Sequence, residues 1–338
     1  MSKKFFDFLS SFGIMLAGVV FLFVASVSYP QVSQKVNFLP KSQPRISFGN
    51  GGDEQPAVLP VSHPNVPLKK DEAICGIPLT AAAAILMDDK TDTILFEKNA
   101  DAVRPLASIS KLMSALVLLD LNPDWKKIVE ITPDIYDNNS HFVNVGEKFT
   151  MQDLWNVALI GSSNSAINAL VSGTGIKKEE FITKMNEKAQ DLRLRSLHFV
   201  EPTGIDERDV GSARDIARML KYALGNDKIF NTLQTPEYYS SPIGEKPRRV
   251  WTTDWLLTRW VPNKFGDLTI AGKTGYIDDS KYNFAVRIEN GGKRAIRTVV
   301  LGADTMEARF SEARDLATWA FTHYAWPGDI GYEKLAQE

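Results

Sequence analysis

The 338-residue sequence holds one cysteine, four histidines and a formal net charge of only −2, and each scarcity removes a class of function. Cys75 alone cannot close an internal disulfide, and no Cys-x-x-Cys pair offers a redox or zinc site. It is expected as a small buried residue at the edge of the folded part. His63, His141, His198 and His323 are scattered, with no His-Glu-x-x-His spacing, so metal catalysis is set aside and no cofactor is expected. A pI near 6.2 leaves no basic footprint for nucleic acid.

What is present begins at the N-terminus. After "MSKK", no charge interrupts the chain between Phe8 and Tyr29, a run close to the roughly 20 apolar residues that cross a bilayer. Residues 1–29 therefore read as a membrane anchor, with a cleavable signal peptide as the rival because Ser26 and Ser28 suit a cleavage site. Both readings carry the rest of the chain across the membrane and leave Lys3 and Lys4 inside. Residues 30–77 read as a flexible linker. Prolines at 30, 40, 44, 56, 60, 64 and 67 forbid a continuous helix or central strand, and about 45 flexible residues reach roughly 40 Å.

Residues 78–327 carry the periodic segments. "TAAAAILMDDKTDTILFEKNAD" reads as two strands, 82–87 and 93–97, about a polar turn. A helix follows from Ser108. Thr150 with Asp153, and Ser212 with Asp215, resemble capping boxes ahead of further helices. Phe181, Ile182, Met185 and Ala189 share a helical face. From residue 267 three β-rich stretches form an antiparallel meander, and residues 306–325 close it with an amphipathic helix. Strands at both ends with helices between give an α+β plan, its sheet assembled from both ends of the chain. Residues 328–338 read as a tail.

Three polar motifs interrupt these segments. Ser108 and Lys111 stand three apart at a helix start, where Cβ atoms lie about 5–6 Å apart, so the amine can reach the hydroxyl. Taken alone, the pair reads first as a cap with a snorkelling lysine. For Lys111 to take the proton it must be partly neutral near pH 7, which calls for burial or a nearby cation. "GSSN" places Ser162 and Asn164 between two apolar stretches, as a solvated turn or as polar groups facing a reacting serine. "AGKTG" ends a strand with Lys273, Thr274 and Gly275, as a hairpin shoulder or as a strand edge offering a cation to a carboxylate. Trp251, Trp255 and Trp260 read as packing, with a sugar or peptide groove as the alternative.

Ser-x-x-Lys, Ser-x-Asn and Lys-Thr-Gly in this order resemble the penicillin-recognising serine enzymes. "TILFEKNADAVRPLASISKLMSALVLL", "GEKFTMQDLWNVALIGSSNSAINALV", "LHFVEPTGIDERDVGSARDIARML" and "AGKTGYIDDSKYNFAV" are similar to the low-molecular-mass D-alanyl-D-alanine carboxypeptidases, over residues 78 to 325. The resemblance implies a β-lactamase/transpeptidase-like α+β fold, an antiparallel sheet flanked by helices with a helical subdomain. It implies acyl transfer from peptidoglycan stem peptides ending in D-Ala-D-Ala, with β-lactams as inhibitors. Ser108 would be the nucleophile, Lys111 its base and Ser162 a proton relay. Asn164 would hold the substrate amide and Lys111; Lys273 and Thr274 would bind the terminal carboxylate, with Lys273 also depressing the Lys111 pKa. Gly275 would let substrate lie along the strand, and the Ser108 and Tyr276 amides would form the oxyanion hole.

The departures are Thr252, Thr253 and Asp254 where asparagine-rich residues are usual, with no arginine there, and Glu201 where asparagine is usual. Three rivals remain: a β-lactamase of the same fold, a D,D-endopeptidase, and a non-catalytic wall-binding module.

Overall fold

The stretch Ala83–Asp88 (β1) is buried at every position, which requires a core on both faces of its sheet. In the computed structural model, which describes residues 65–138, 142–262, 269–291 and 294–337, that is its position. β1 pairs with Ile94–Lys98 (β2) across the expected polar turn. Thr269–Ile277 (β3), Lys281–Glu289 (β4) and Ala295–Ala303 (β5) form the meander. The five strands run antiparallel in the order β3-β4-β5-β1-β2. The two chain ends meet where β5 pairs with β1, and β3 is left as an edge.

Side chains alternate between two cores, as the two-residue period of a strand dictates. Ala83, Ile85, Met87, Val299 and Leu301 join the core with the central helices. Ala84, Leu86, Ile296 and Val300 join the core beneath the closing helix, Ala308–His323. On the first side, Lys111–Leu121 (α1) is buried from Lys111 through Leu118. A helix apolar all round belongs inside a bundle. It is packed by Asn164–Thr174, Lys178–Asp191 and Ala213–Leu224. Met151–Ile160 packs in turn on Asn164–Thr174. Thr150 and Ser212 cap their helices by accepting from the Asp153 and Asp215 amides, as their spacing predicts.

The fold differs from the sequence reading at its margins. The anchor and most of the linker, residues 1–64, lie outside the described residues, as do His63 and His141. The end of the expected linker is instead docked: Leu68–Lys69 pairs with Tyr324–Ala325, and the Trp319 indole donates to the Cys75 carbonyl at 3.1 Å. The expected tail also packs. Tyr332 is buried and donates to the Val66 carbonyl at 2.8 Å. Proline excludes a helix here but not a two-residue strand at a sheet edge. Cys75 is exposed rather than buried, because this segment runs over the surface.

Trp155 anchors the helical half. It is fully buried, sits edge-on to Trp125 with centroids 5.3 Å apart, and donates to the Thr232 hydroxyl at 2.9 Å. Trp155→Ala is expected to lower the unfolding free energy by about 3–5 kcal/mol, read by urea denaturation. A loss under about 1 kcal/mol would show that the site collapses around the missing ring.

Candidate active site

Ser108 does not sit in the α-helix proper. Residues Ala107–Ser110 form a 3-10 turn that leads into α1. Ala107 holds a left-handed φ of 51°, a conformation that costs a non-glycine residue energy and recurs at functional sites. Two glycines from distant segments clasp this turn. A Cβ on Gly204 would stand 1.8 Å from the Ala107 carbonyl oxygen, and one on Gly275 would stand 2.6 Å from the Leu106 carbonyl oxygen and 3.3 Å from the Ser108 nitrogen. Gly275 was expected to make room for substrate; its nearest neighbours are the backbone of the serine turn. The same approach brings edge strand β3, where Tyr276 follows Gly275, against the Ser108 amide.

Ser108 remains partly exposed, whereas Lys111 is fully buried one turn on. The Lys111 amine lies 2.7 Å from Ser108 Oγ, 2.6 Å from Asn164 Oδ1 and 2.7 Å from the Thr203 carbonyl oxygen. Two of these neighbours are carbonyl-type acceptors, which take the two N–H bonds of a neutral amine. Its lone pair is then left for the serine proton. The Asn164 amide is oriented by its other end, where Nδ2 donates to Asp137 at 2.6 Å. Burial pushes the Lys111 pKa down to about 7, against the opposing pull of Glu201, Asp137 and Asp209.

Glu201 gathers the donors of the loop that follows it. Its Oε2 accepts from the Thr203 amide and hydroxyl, both at 2.8 Å, and its Oε1 accepts from the Gly204 and Ile205 amides. These bonds curl the loop so that the Thr203 carbonyl meets Lys111 and Gly204 meets Ala107. Asp209 secures the loop from below by accepting from the Val200 amide at 2.7 Å and the Glu201 amide at 3.2 Å. Its burial raises its own pKa to about 7.

A second buried lysine faces the other hydroxyl. Lys273 donates to Ser162 Oγ at 2.7 Å and to the Thr274 carbonyl at 3.1 Å. Burial, then repulsion from Lys111 and Arg309, holds its pKa well below the usual lysine range. The fall at Lys111 is led by its own burial rather than by Lys273. Ser162 also holds a left-handed φ, 60°. The Thr253 and Thr274 hydroxyls hydrogen-bond at 2.6 Å. Arg309 is buried behind β3 and donates to the Gly275 carbonyl at 3.2 Å, so a guanidinium lies in this region although the Thr252–Asp254 segment carries none. Asp254 accepts from the Leu256 amide at 2.8 Å, and burial lifts its pKa to about 6.

Ser108, Ser162 and Asn164 open into a cleft of about 830 Å³ walled by residues 204–208 and 276–279. The three motifs thus form two hydrogen-bonded groups, Lys111 with Ser108 and Asn164 and Lys273 with Ser162 and Thr274, whose Ser108, Ser162 and Asn164 share this cleft. The sequence reading passed over Asp137, Asp209 and Arg309, which sit far off in sequence. Glu201 and "PTG" were visible, but their part is played largely through backbone groups. Among the described residues there is no cluster able to hold a metal.

A family model described as D-alanyl-D-alanine carboxypeptidase matches residues 70–305. The D-alanyl-D-alanine endopeptidase of Escherichia coli is 31% identical, over 74% of this chain and 80% of its own length. The D-alanyl-D-alanine carboxypeptidase DacF of Bacillus subtilis is 28% identical over 72% of this chain, and the match spans 63% of that relative. Among solved structures, ampicillin-bound penicillin-binding protein D2 from Listeria monocytogenes matches with a TM-score of 0.64 and 25% identity, covering 73% of this chain and all of its own.

Glu201→Gln removes the leading charge that favours the protonated lysine. The Lys111 titration midpoint is therefore expected to move below its value of about 7, read from the Nζ shift of ¹⁵N-lysine-labelled protein. A midpoint that stays put or rises would show that the Glu201 charge does not reach the amine.

Proposed function

The chain belongs to the D-alanyl-D-alanine carboxypeptidase family, and on that premise we propose that it is a serine acyl-transfer hydrolase acting on peptidoglycan stem peptides that end in D-Ala-D-Ala. One observation carries this reading: a buried amine with its two N–H bonds committed to carbonyl-type acceptors lies 2.7 Å from a partly exposed serine oxygen. A non-catalytic wall-binding module has no need of such a pair, since burying an amine costs stability unless its neutral form is put to use.

The geometry supports the following course. The terminal D-alanine carboxylate lies at Lys273 and Thr274, which sets the preceding carbonyl over Ser108. Lys111 takes the Ser108 proton as Oγ forms a bond to that carbonyl carbon. The backbone amides of Ser108 and Tyr276 receive the developing oxyanion. The C–N bond then breaks, and the departing amine takes the proton that Lys111 removed, passed on through Ser162, which is held by Lys273; Lys111 is left neutral. Water then gives a proton to Lys111 as its oxygen bonds to the ester carbon; the carbon–Oγ bond breaks, Lys111 passes that proton to Ser108, and the shortened peptide leaves with its new carboxylate. No cofactor enters any step.

The β-lactamase reading needs a free carboxylate to activate water. Glu201 is the acidic residue nearest that role, and both its oxygens are taken by loop donors. Penicillins are accordingly proposed to acylate Ser108 and remain there. The enzyme is proposed to work on the outer side of the cytoplasmic membrane, held by its N-terminal apolar segment or secreted after cleavage.

Fluorescent penicillin is expected to label the wild-type protein and not Ser108→Ala; a labelled Ser108→Ala protein would place the nucleophile elsewhere. Because the base works unprotonated, acylation should rise with pH through a midpoint near 7, and a rate that falls over that range would remove Lys111 from the role. Release of D-alanine from purified peptidoglycan, read by mass, should disappear in Lys111→Arg, a loss of roughly 10²-fold or more.

A further inference from the structure

Asp209 is a buried acid that takes no part in the steps above. It has no exposed surface, and it touches each piece that the reaction needs held in place. Its backbone carbonyl accepts from the Leu106 amide at 2.8 Å, at the entry to the serine turn. Its Oδ1 accepts from the Val200 amide at 2.7 Å and the Glu201 amide at 3.2 Å, where the loop that supplies the Thr203 carbonyl begins. Its Oδ2 is buried with no other partner, as is Ser110 Oγ, and the Ser110 hydroxyl lies close enough to bear on the ionisation of the acid. Ser110 is the N-cap of α1, yet its side chain caps no helix amide. These two unspent polar atoms thus meet at the junction between the serine turn and the loop.

An ionised carboxylate in that position lacks a counter-charge. Its oxygens meet backbone amides and a hydroxyl rather than a cation, and an unpaired ion is costly in the interior. The nearby charges do not relieve it. Glu201, across the loop, opposes a second negative charge. Arg208, next in the chain, is exposed and spends its guanidinium on Asp206. The strand Val103–Pro105 pairs with Val210–Ser212, but its Arg104 carries its guanidinium to Gly302. His198, bridged to Val210, is exposed. Lys111 is the remaining basic group, and a negative Asp209 favours its proton, which the reaction needs removed. The protonated acid avoids both costs: Oδ1 keeps its two amides, and the hydrogen on Oδ2 is given to Ser110 Oγ.

We propose that Asp209 is a positioning residue for acylation, which as a neutral acid ties the serine turn to the Thr203 loop through Ser110 and keeps a negative charge away from Lys111. This rests on the acyl-transfer reading of Ser108 and Lys111 and adds the group that holds the base in register. Burial puts the titration of Asp209 at about 7, in the same range as Lys111. As pH rises, each Asp209 that ionises makes its Lys111 hold its proton more tightly, so the lysine titrates over a broadened range.

The test compares the full-length wild type with Asp209→Asn and Asp209→Leu. Asparagine copies the neutral acid, with an oxygen for the two amides and an N–H for Ser110. In Asp209→Asn the Lys111 Nζ titration, and with it the rise of penicillin acylation with pH, should sharpen to a single-proton step whose midpoint lies roughly half a unit below wild type. In the infrared, wild type below pH 7 should show the C=O stretch of a protonated carboxyl that Asp209→Asn lacks. Leucine keeps the bulk without the acceptor and should slow acylation about tenfold at every pH; the asparagine variant carries the test whether or not the leucine variant folds. A Lys111 midpoint and steepness in Asp209→Asn that match wild type, or a wild type without that carboxyl band, overturn the proposal while Ser108 still takes the penicillin label. A wild type that takes no label on Ser108 overturns the acyl-transfer reading and the proposal with it.

Discussion

A neutral amine kept out of water beside a hydroxyl is the constraint from which the rest of this site follows. Lysine prefers to be charged and solvated, and only burial without a directly bonded carboxylate brings its pKa to about 7. The fold meets that demand by starting its central helix at Lys111, so that the amine enters the bundle with Leu112 through Leu118. The carboxylates of Glu201, Asp137 and Asp209 stand close enough to favour the charged form, yet the polar groups touching the amine are a hydroxyl, an amide oxygen and a backbone carbonyl. Had one acid met the amine directly, the ion pair would have left it protonated and useless as a base.

The same constraint explains the strained backbone around it. Ala107 and Ser162 both hold positive φ, and each is fixed from outside: Ala107 by the approach of Gly204 and Gly275, Ser162 by its bond from Lys273. A loop that supplies a carbonyl to Lys111 must itself be rigid, because an amine that lost that partner would turn its lone pair. Glu201 gives that rigidity by gathering the loop's donors at its two carboxylate oxygens. An asparagine has one acceptor oxygen and could not serve both sides of the loop. Glu201 therefore holds both sides of the loop while placing negative charge near the lysine.

What was legible in the sequence was local. Strand alternation in "ILFEK", the Thr150 and Ser212 caps and the i, i+3 spacing of Ser108 and Lys111 each need only neighbours a turn away. The strand at 82–87 was also legible as a strand, but that both its faces are covered is known only from the structure. The docked segment at Leu68–Lys69 was missed because its partner, Tyr324–Ala325, lies at the far end of the chain. Asp137 and Arg309 were missed for the same reason. Arg309 sits beside Phe310 in an amphipathic helix, where a surface cation is the ordinary expectation; only the packing turns it inward to the Gly275 carbonyl. The Thr203 carbonyl carries no side-chain signature at all.

The two buried lysines are coupled, and this gives the site an order of events. Lys273 is depressed by burial and by the charges of Lys111 and Arg309, so both amines cannot be protonated cheaply while the cleft holds only water. On the proposed reading, a substrate carboxylate arriving at Lys273 and Thr274 supplies the missing negative charge and favours protonation of Lys273. A charged Lys273 then repels a proton on Lys111. Binding thus commits one amine to hold the substrate and leaves the other free to take the Ser108 proton, so the base is most effective when there is something for the serine to attack. A substrate lacking the carboxylate forfeits an anchor and also leaves Lys273 depressed, which makes recognition and base activation a single electrostatic event.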